Sequence, residues 1–158
     1  MTGVSDLRDL YQEVILDHNK RPRNFGAIDD ASRKAEGHNP LCGDRLTLYI
    51  KLDGDRLVDV RFSGSGCAIS KASASMMTDA IKGRTVAEVD APFDAFHQMV
   101  TSAPGGAIEA TRLGKLTVFA GVAEFPTRVK CASLPWHTLR TALHEPGAVA
   151  TTENETTS

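Results

Sequence analysis

Cysteines are scarce in this sequence, and an odd number of them, three, rules out a fully paired disulfide framework. No two of them form a Cys-x-x-Cys pair, and the 24 and 63 residues that separate them match no zinc-finger pattern. Each cysteine therefore has to be considered individually, as a thiol or as a metal ligand.

Charge of one sign and long apolar runs are also lacking. The net charge is −2 and no long acidic or basic run occurs, so we expect no binding of nucleic acid or of a membrane surface. No apolar stretch approaches the length needed to span a membrane, and the first 11 residues contain no signal-peptide core. We expect a cytoplasmic protein, in which cysteines stay reduced.

The composition is that of a globular protein, with 41% hydrophobic and 24% charged residues. A length of 158 residues indicates one domain. We place this domain at residues 1–145. The tail at 146–158 is almost entirely small or polar, and we predict that it is disordered.

Hydrophobic periodicity predicts an α+β fold, in which a small antiparallel β-sheet packs against helices. Helical spacing of apolar residues is found over 6–19, from Cys67 to Gly83, and over 91–100, 113–122 and 134–143. Strand-like alternation over 46–52 and 58–62, on either side of a turn at Asp53-Gly54, predicts a β-hairpin. The ends of an antiparallel hairpin meet, so the segments carrying Cys42 and Cys67 should lie close together.

All three cysteines lie near the ends of predicted elements. Cys42 is in a turn-prone stretch before a strand, Cys67 follows a glycine-rich turn at a helix start, and Cys131 lies shortly before the last helix. Helix N-termini favour the thiolate, which is the form that binds metals or attacks sulfur. A lone cysteine is more commonly a small buried apolar residue, but the glycine and polar neighbours of these three weaken that interpretation.

A tetrahedral zinc site needs a fourth ligand, and the sequence offers two candidates beside Cys42. Asp44 is two residues away, although an aspartate after glycine is usually a turn or cap residue. His38 lies in the predicted loop before Cys42 and is the strongest rival. The remaining histidines are interpreted as surface or core residues: His18, His97, His137 and His144. Spacing leaves the choice between Asp44 and His38 open.

Six segments, in the same order along the chain, resemble the U-type iron–sulfur scaffold proteins. They are residues 10–18 (LYQEVILDH), 21–24 (RPRN), 39–44 (NPLCGD), 64–67 (GSGC), 72–77 (ASASMM) and 129–132 (VKCA). The resemblance covers nearly all of 7–143 and is closer to the SufU branch than to the IscU branch. Lys130 stands where IscU-type scaffolds carry a histidine, and 83–106 looks like an added stretch between the second and third cysteines.

The resemblance implies a SufU/IscU-like fold and a Zn²⁺ ion held by Cys42, Asp44, Cys67 and Cys131. It also implies a zinc-dependent sulfur carrier, sulfurtransferase-like in its action, that accepts persulfide sulfur on Cys42. The sulfur donor would be a PLP-dependent cysteine desulfurase of the SufS type, and downstream iron–sulfur assembly proteins would receive the sulfur. Arg128 could stabilise the incoming persulfide anion, and its ordinary interpretation is a solvated surface charge.

Two other functions are compatible with the same residues. A transient [2Fe–2S] cluster could be assembled on these thiolates and then transferred, although Lys130 in place of the histidine argues against it. Alternatively, a structural zinc site could support an interaction module without transfer activity.

Overall fold

The computed structural model describes residues 4–40, 43–101, 116, 118–119, 122, 125–144 and 149–151. In chain order its elements are α1 (Val4–Lys20), β1 (Arg33–Asn39), β2 (Asp44–Asp53), β3 (Arg56–Ser65), α2 (Ala68–Ile81), α3 (Val86–Thr101), α4 (Pro126–His144) and β4 (Val149–Thr151). The predicted α+β class is confirmed.

The sheet has the strand order β3-β2-β1-β4. β1 and β3 flank β2 and are both antiparallel to it, whereas the short β4 is parallel to β1. The predicted hairpin is confirmed as β2–β3, with Asp53 paired to Arg56 across the turn. At the open end of the hairpin, Arg45 pairs with Ser65. This pairing brings Asp44 and Cys67, the residues next to this pair, to the same end of the hairpin.

A β-bulge changes which residues of β3 face the core. The register shifts between Lys51 and Leu52, so Leu57 is buried while Val58 is 43% exposed. Simple alternation had grouped Val58 with the inward-facing Val60, and that part of the prediction was wrong because a bulge breaks the period of two.

β1 was not predicted from the sequence, which treated its residues as loop. Its buried positions are Ala35, Gly37 and Asn39, which give almost no hydrophobic alternation. Gly37 lies so close to α4 that a β-carbon there would collide with the Thr138 hydroxyl. The inner face of β1 is therefore shaped to admit a helix, and it contributes little apolar surface.

The helices cover the sheet around one core. α4 packs on β1 and β2, α2 packs on β3 and on α4, α1 packs on α2, and α3 packs on α4. The largest fully buried side chains include Leu48, Ile50, Phe62, Phe96, Met77 and Trp136. Burial of this apolar surface, at roughly 25 cal/mol per Å², is the main force that holds α2 and α4 side by side.

The last helix begins earlier than predicted. α4 starts at Pro126, so Cys131 lies inside the helix and not before it. Proline is favoured in the first turn of a helix, where its missing N–H needs no partner, and this explains why α4 can begin at Pro126. Helix α3 is confirmed and is longer than predicted. The helix predicted over 113–122 falls mostly outside the described residues.

Part of the predicted tail has regular structure. Val149–Thr151 form β4, while 145–148 and 152–158 lie outside the described residues, so the prediction for the tail as a whole stays a prediction. Across the described part of the chain, no helix combines the length and the apolar character needed to cross a membrane.

Candidate metal centre

Asp44 is the first residue of β2 and is completely buried. Its carboxylate oxygen Oδ1 accepts a hydrogen bond from the backbone N–H of Cys67, with an N–O distance of 2.7 Å. The other oxygen, Oδ2, accepts from the side-chain amide of Asn39 at 3.2 Å and lies 3.8 Å from the Cys67 sulfur. A buried carboxylate needs such donors, and here they also fix its orientation.

Two glycines allow close packing around this carboxylate. Gly64 has a φ of +139° and packs directly against the backbone of Arg45, so a side chain would be both strained and blocked. A β-carbon on Gly66 would lie 2.5 Å from Oδ1 of Asp44. The glycine-rich turn before Cys67 therefore allows the hairpin end and the start of α2 to approach each other.

Cys67 is the N-cap residue of α2, with its backbone extended at φ −71° and ψ 164°. Its half-buried sulfur accepts a hydrogen bond from the backbone N–H of Ser70 at 3.4 Å. A hydrogen bond with Cys131 is the largest of the effects that lower the pKa of the Cys67 thiol from its usual 9.0 to about 7. The N–H groups of Ser70 and Ile69 act in the same direction, while burial and the charge of Asp44 oppose them.

Cys131 belongs to the same cluster and is carried by α4. It lies in the second turn of α4 and is only 3% exposed. The next residue along the helix, Ala132, is tied to α2, because the Ser73 hydroxyl donates to its carbonyl oxygen at 2.6 Å. The position of Cys131 is thus set by the packing of α4 against α2 and the sheet.

Asn39 is a site residue that the sequence analysis missed. It is completely buried at the end of β1, where it pairs with Asp44, and its amide nitrogen lies 3.5 Å from the Cys131 sulfur. An asparagine before a proline is typical of a turn, and that interpretation hid it. Two sequence signals could have found it: its position three residues before Cys42 and its place in the segment 39–44 that resembles the scaffold family.

Three candidate ligands come together within the described residues. One donor atom from each of Asp44, Cys67 and Cys131 lies within 4.8 Å of the others. His38 does not belong to this cluster; it neighbours Asn39 on β1, and successive strand residues point to opposite faces. The geometry therefore favours Asp44 over His38 beside the cysteines. Cys42 lies outside the described residues.

The other histidines have partners away from this cluster. His18 on α1 is hydrogen-bonded to the Ser75 hydroxyl at 2.7 Å. The rings of His97 and His137 make an edge-to-face contact between α3 and α4, with their centroids 5.8 Å apart. His144 lies in the last turn of α4. None of them joins the described cluster of Asp44 and two cysteines.

Arg128 lies in the first turn of α4. It is exposed, three residues before Cys131, and its guanidinium group lies 4.4 Å from the centre of the exposed Phe125 ring. This cation–π contact holds the charge at the protein surface. The role predicted for Arg128 in binding a persulfide stays a prediction.

Comparison with known families decides the identity of the fold. The model of the NifU-like N terminal domain matches residues 10–132. The chain belongs to this family. Its members include the U-type iron–sulfur cluster assembly scaffold proteins, as the resemblance in sequence implied. Family membership implies interaction with a cysteine desulfurase and with other iron–sulfur assembly proteins.

Relatives of this family member carry two kinds of name. The chain is 44% identical over 139 residues to a zinc-dependent sulfurtransferase SufU of Bacillus subtilis, covering 88% of this chain and 92% of the relative. It is 42% identical over 141 residues to an iron–sulfur cluster assembly scaffold protein IscU of Streptococcus pyogenes, covering 89% and 87%. These names correspond to two of the functions considered above.

Solved structures agree with this assignment. A crystal structure of FiSufU from Fervidobacterium islandicum AW-1, titled as a scaffold protein for the SUF system, matches with a TM-score of 0.79 and 40% identity. The match covers 86% of this chain and 98% of that one. The N-terminal part of a NifU-like protein from Brucella abortus, at 24% identity and a TM-score of 0.76 over 87% and 94% of the chains, shares the fold.

Proposed function

We propose that this family member is a zinc-dependent sulfur carrier that accepts persulfide sulfur on Cys42 and passes it on for iron–sulfur cluster assembly. The donor is a PLP-dependent cysteine desulfurase of the SufS type, and transfer takes place in the cytoplasm, where thiols stay reduced. The observation that carries the proposal is the convergence of Asp44, Cys67 and Cys131, with one donor atom of each within 4.8 Å of the others.

The spacing of one pair of donor atoms supports a tetrahedral zinc site. Zinc–sulfur and zinc–oxygen bonds of about 2.3 and 2.1 Å place neighbouring ligand atoms about 3.6–3.8 Å apart. The observed 3.8 Å between the Cys67 sulfur and Asp44 Oδ2 matches that spacing. Cys42, two residues before Asp44 in the chain, is the proposed fourth ligand. Zn²⁺ bound there would hold the cysteines as thiolates without itself changing redox state.

The transfer step belongs to Cys42. Its thiolate attacks the outer sulfur of the persulfide on the desulfurase, forming a new sulfur–sulfur bond on Cys42. The original sulfur–sulfur bond breaks, and the desulfurase cysteine leaves as a thiolate. The exchange needs no external oxidant or reductant, because one persulfide is consumed and one is formed.

Arg128 is proposed to attract the persulfide anion toward the site. Its charge is exposed on the same helix as Cys131, three residues earlier. Arg140 provides a matched control, because it is also exposed on α4 and its guanidinium group stacks on Phe93 at 4.3 Å. We expect Arg128→Ala to weaken stimulation of the desulfurase and Arg140→Ala to leave it unchanged. Equal effects of the two substitutions would remove Arg128 from the mechanism.

Desulfurase turnover tests the function directly. Alanine release by a SufS-type desulfurase is measured with the zinc-loaded wild-type protein and with Cys42→Ala. We expect strong stimulation by the wild type, none by the variant, and one added sulfur atom on Cys42 by mass spectrometry. A wild-type protein that contains zinc and produces no stimulation would disprove sulfur transfer.

Cluster scaffolding is the second candidate, because relatives at 42% identity carry the name IscU. Anaerobic reconstitution with ferrous iron and sulfide separates the two functions. A stable [2Fe–2S] spectrum that displaces zinc, without stimulation of a desulfurase, would favour the scaffold. A purely structural zinc module would show neither the spectrum nor an increase in reactive thiols when the desulfurase is added.

A further inference from the structure

We propose that Asn39 is a positioning residue of this centre, whose side-chain amide holds Asp44 and Cys131 in place as ligands. The inference rests on the proposed zinc site and goes beyond it, because Asn39 is not itself one of the ligands. It assigns a function to a buried polar residue that the sulfur-transfer chemistry does not use.

The amide of Asn39 lies between two of the donor atoms. Its nitrogen is 3.2 Å from Oδ2 of Asp44 and 3.5 Å from the sulfur of Cys131, and the residue has no solvent exposure. A side-chain amide carries two hydrogens on one nitrogen, so a single Asn39 can donate to both partners at once. Because the site is buried, water does not replace these two hydrogen bonds.

The carboxylate of Asp44 is held at both oxygens. Oδ1 accepts from the Cys67 backbone at 2.7 Å, and Oδ2 accepts from Asn39. These two bonds fix the plane of the carboxylate and direct Oδ2 toward the thiols. Without Asn39, the described hydrogen bonds to the carboxylate would come from Cys67 alone, through its backbone N–H at 2.7 Å and its more distant thiol at 3.8 Å, so the carboxylate would be held less firmly.

Charge explains why this position favours asparagine. With a carboxylate and the cysteine thiolates around one Zn²⁺ ion, the bound site would keep an excess of negative charge even after the charge of zinc is counted. A neutral double donor between two of these groups stabilises that excess charge. A carboxylate at position 39 would have nearly the same shape but would add negative charge and remove the donors.

This difference separates a donor function from simple packing. Asn39→Asp preserves the volume of the side chain, Asn39→Ser keeps one donor in a small side chain, and Asn39→Ala is small with no donor. If Asn39 only fills space, Asn39→Asp should retain zinc best. If Asn39 acts as a donor, zinc retention should decrease in the order wild type, Asn39→Ser, Asn39→Ala, Asn39→Asp.

The experiment measures zinc release to a chromophoric chelator, with no desulfurase present. We expect the dissociation constant to rise about 10- to 100-fold in Asn39→Ala, the range typical for partners of metal ligands, and further in Asn39→Asp. Asn19→Asp, the same chemical change on α1, is the matched control and should bind zinc as the wild type does. Thermal unfolding of each zinc-free variant identifies any variant that fails to fold. The order of zinc retention is then taken from the variants that do fold.

Two further readouts follow the sulfur atoms. In the Co²⁺-substituted protein, loss of the hydrogen bond to sulfur should shift the sulfur-to-cobalt charge-transfer band of Asn39→Ser less than that of Asn39→Ala. In the zinc-loaded Asn39 variants, Cys131 should be alkylated by iodoacetamide faster than in the wild type. Zinc binding within twofold of wild type in Asn39→Ala and Asn39→Asp would overturn the inference.

The outcomes also distinguish this inference from the proposed function. A wild type that binds zinc but does not stimulate the desulfurase would disprove sulfur transfer and leave the function of Asn39 standing. A wild type that binds no zinc would overturn the proposed metal site and, with it, the function assigned to Asn39.

Discussion

Cys67 and Cys131 bring their sulfur atoms to one point from contrasting surroundings. Cys67 caps a helix at a half-buried position and is held by backbone N–H groups and by Asp44. Cys131 lies inside a helix, 3% exposed, and is held by packing and by the amide of Asn39. Of the two described thiols, Cys67 is therefore the more accessible and Cys131 the more firmly held.

The largest expected effect comes from Asp44→Ala, because Asp44 contacts the Cys67 side and, through Asn39, the Cys131 side. The substitution leaves the Cys67 N–H and the Asn39 amide without this acceptor. Each buried unsatisfied donor costs about 1–3 kcal/mol, so for these two donors we expect a loss of about 2–6 kcal/mol in the free energy of unfolding of the zinc-free protein. Urea unfolding measures it.

Asp53→Ala is the control for that experiment, because Asp53 is an exposed residue at the other end of β2. Its substitution should change the free energy of unfolding by less than about 0.5 kcal/mol. Equal effects at the two ends of the strand would show that Asp44 does not support the site.

Gly66→Ala tests the Cys67 side alone. The new β-carbon would lie 2.5 Å from Oδ1 of Asp44, and we expect it to cost about 1–3 kcal/mol and to weaken zinc binding. The cost should shrink when Asp44 is already alanine, because that carboxylate oxygen is then gone. If the two substitutions had additive effects on the free energy of unfolding, the cost of Gly66→Ala would not come from contact with the Asp44 carboxylate.

The pH dependence of alkylation tests the contrast in reactivity. Iodoacetamide reacts with thiolates, and a pKa lowered to about 7 means that Cys67 in the zinc-free folded protein should react with a midpoint near pH 7. In urea the midpoint should move up toward the usual 9.0 of the thiol. Peptide mass spectrometry reads each cysteine separately, and Cys131 should react more slowly than Cys67. If iodoacetamide reacted faster with Cys131 than with Cys67, Cys131 and not Cys67 would be the more reactive thiol.

Ser73→Ala tests the Cys131 side alone and should have the smallest effect. It removes the hydrogen bond that ties α2 to α4 beside Cys131, at a cost of about 1 kcal/mol. We expect faster alkylation of Cys131 with no change at Cys67. Thr101→Ala removes a similar hydroxyl-to-carbonyl bond on the exposed side of α3 and should alter neither thiol. If Ser73→Ala changed the alkylation rate of Cys67 alone, the Ser73 hydrogen bond would not be what holds Cys131 in place.

The sequence alone was sufficient to predict the part of the site that is formed by elements next to each other in the chain. Alternation on both sides of Asp53-Gly54 predicts a hairpin, and a hairpin brings its ends together whatever surrounds it. The hairpin predicts that the segment containing Asp44 meets the segment containing Cys67, and the helical spacing that follows Cys67 separately predicts the start of α2. The bulge that exposes Val58 was not predictable, because it changes the period within an otherwise regular strand.

Tertiary structure decided the remainder. Cys131 follows Cys67 by 63 intervening residues and reaches it only because α4 packs on α2 and the sheet. Asn39 became a site residue because β1, built on Ala35 and Gly37, admits that helix closely. Local periodicity carries no information about such contacts, since they depend on shape and burial across elements that are distant in sequence. The sequence by itself determined the chemical groups of the site and the meeting of Asp44 with Cys67. Long-range packing of α4 and β1 then added Cys131 and Asn39 to them.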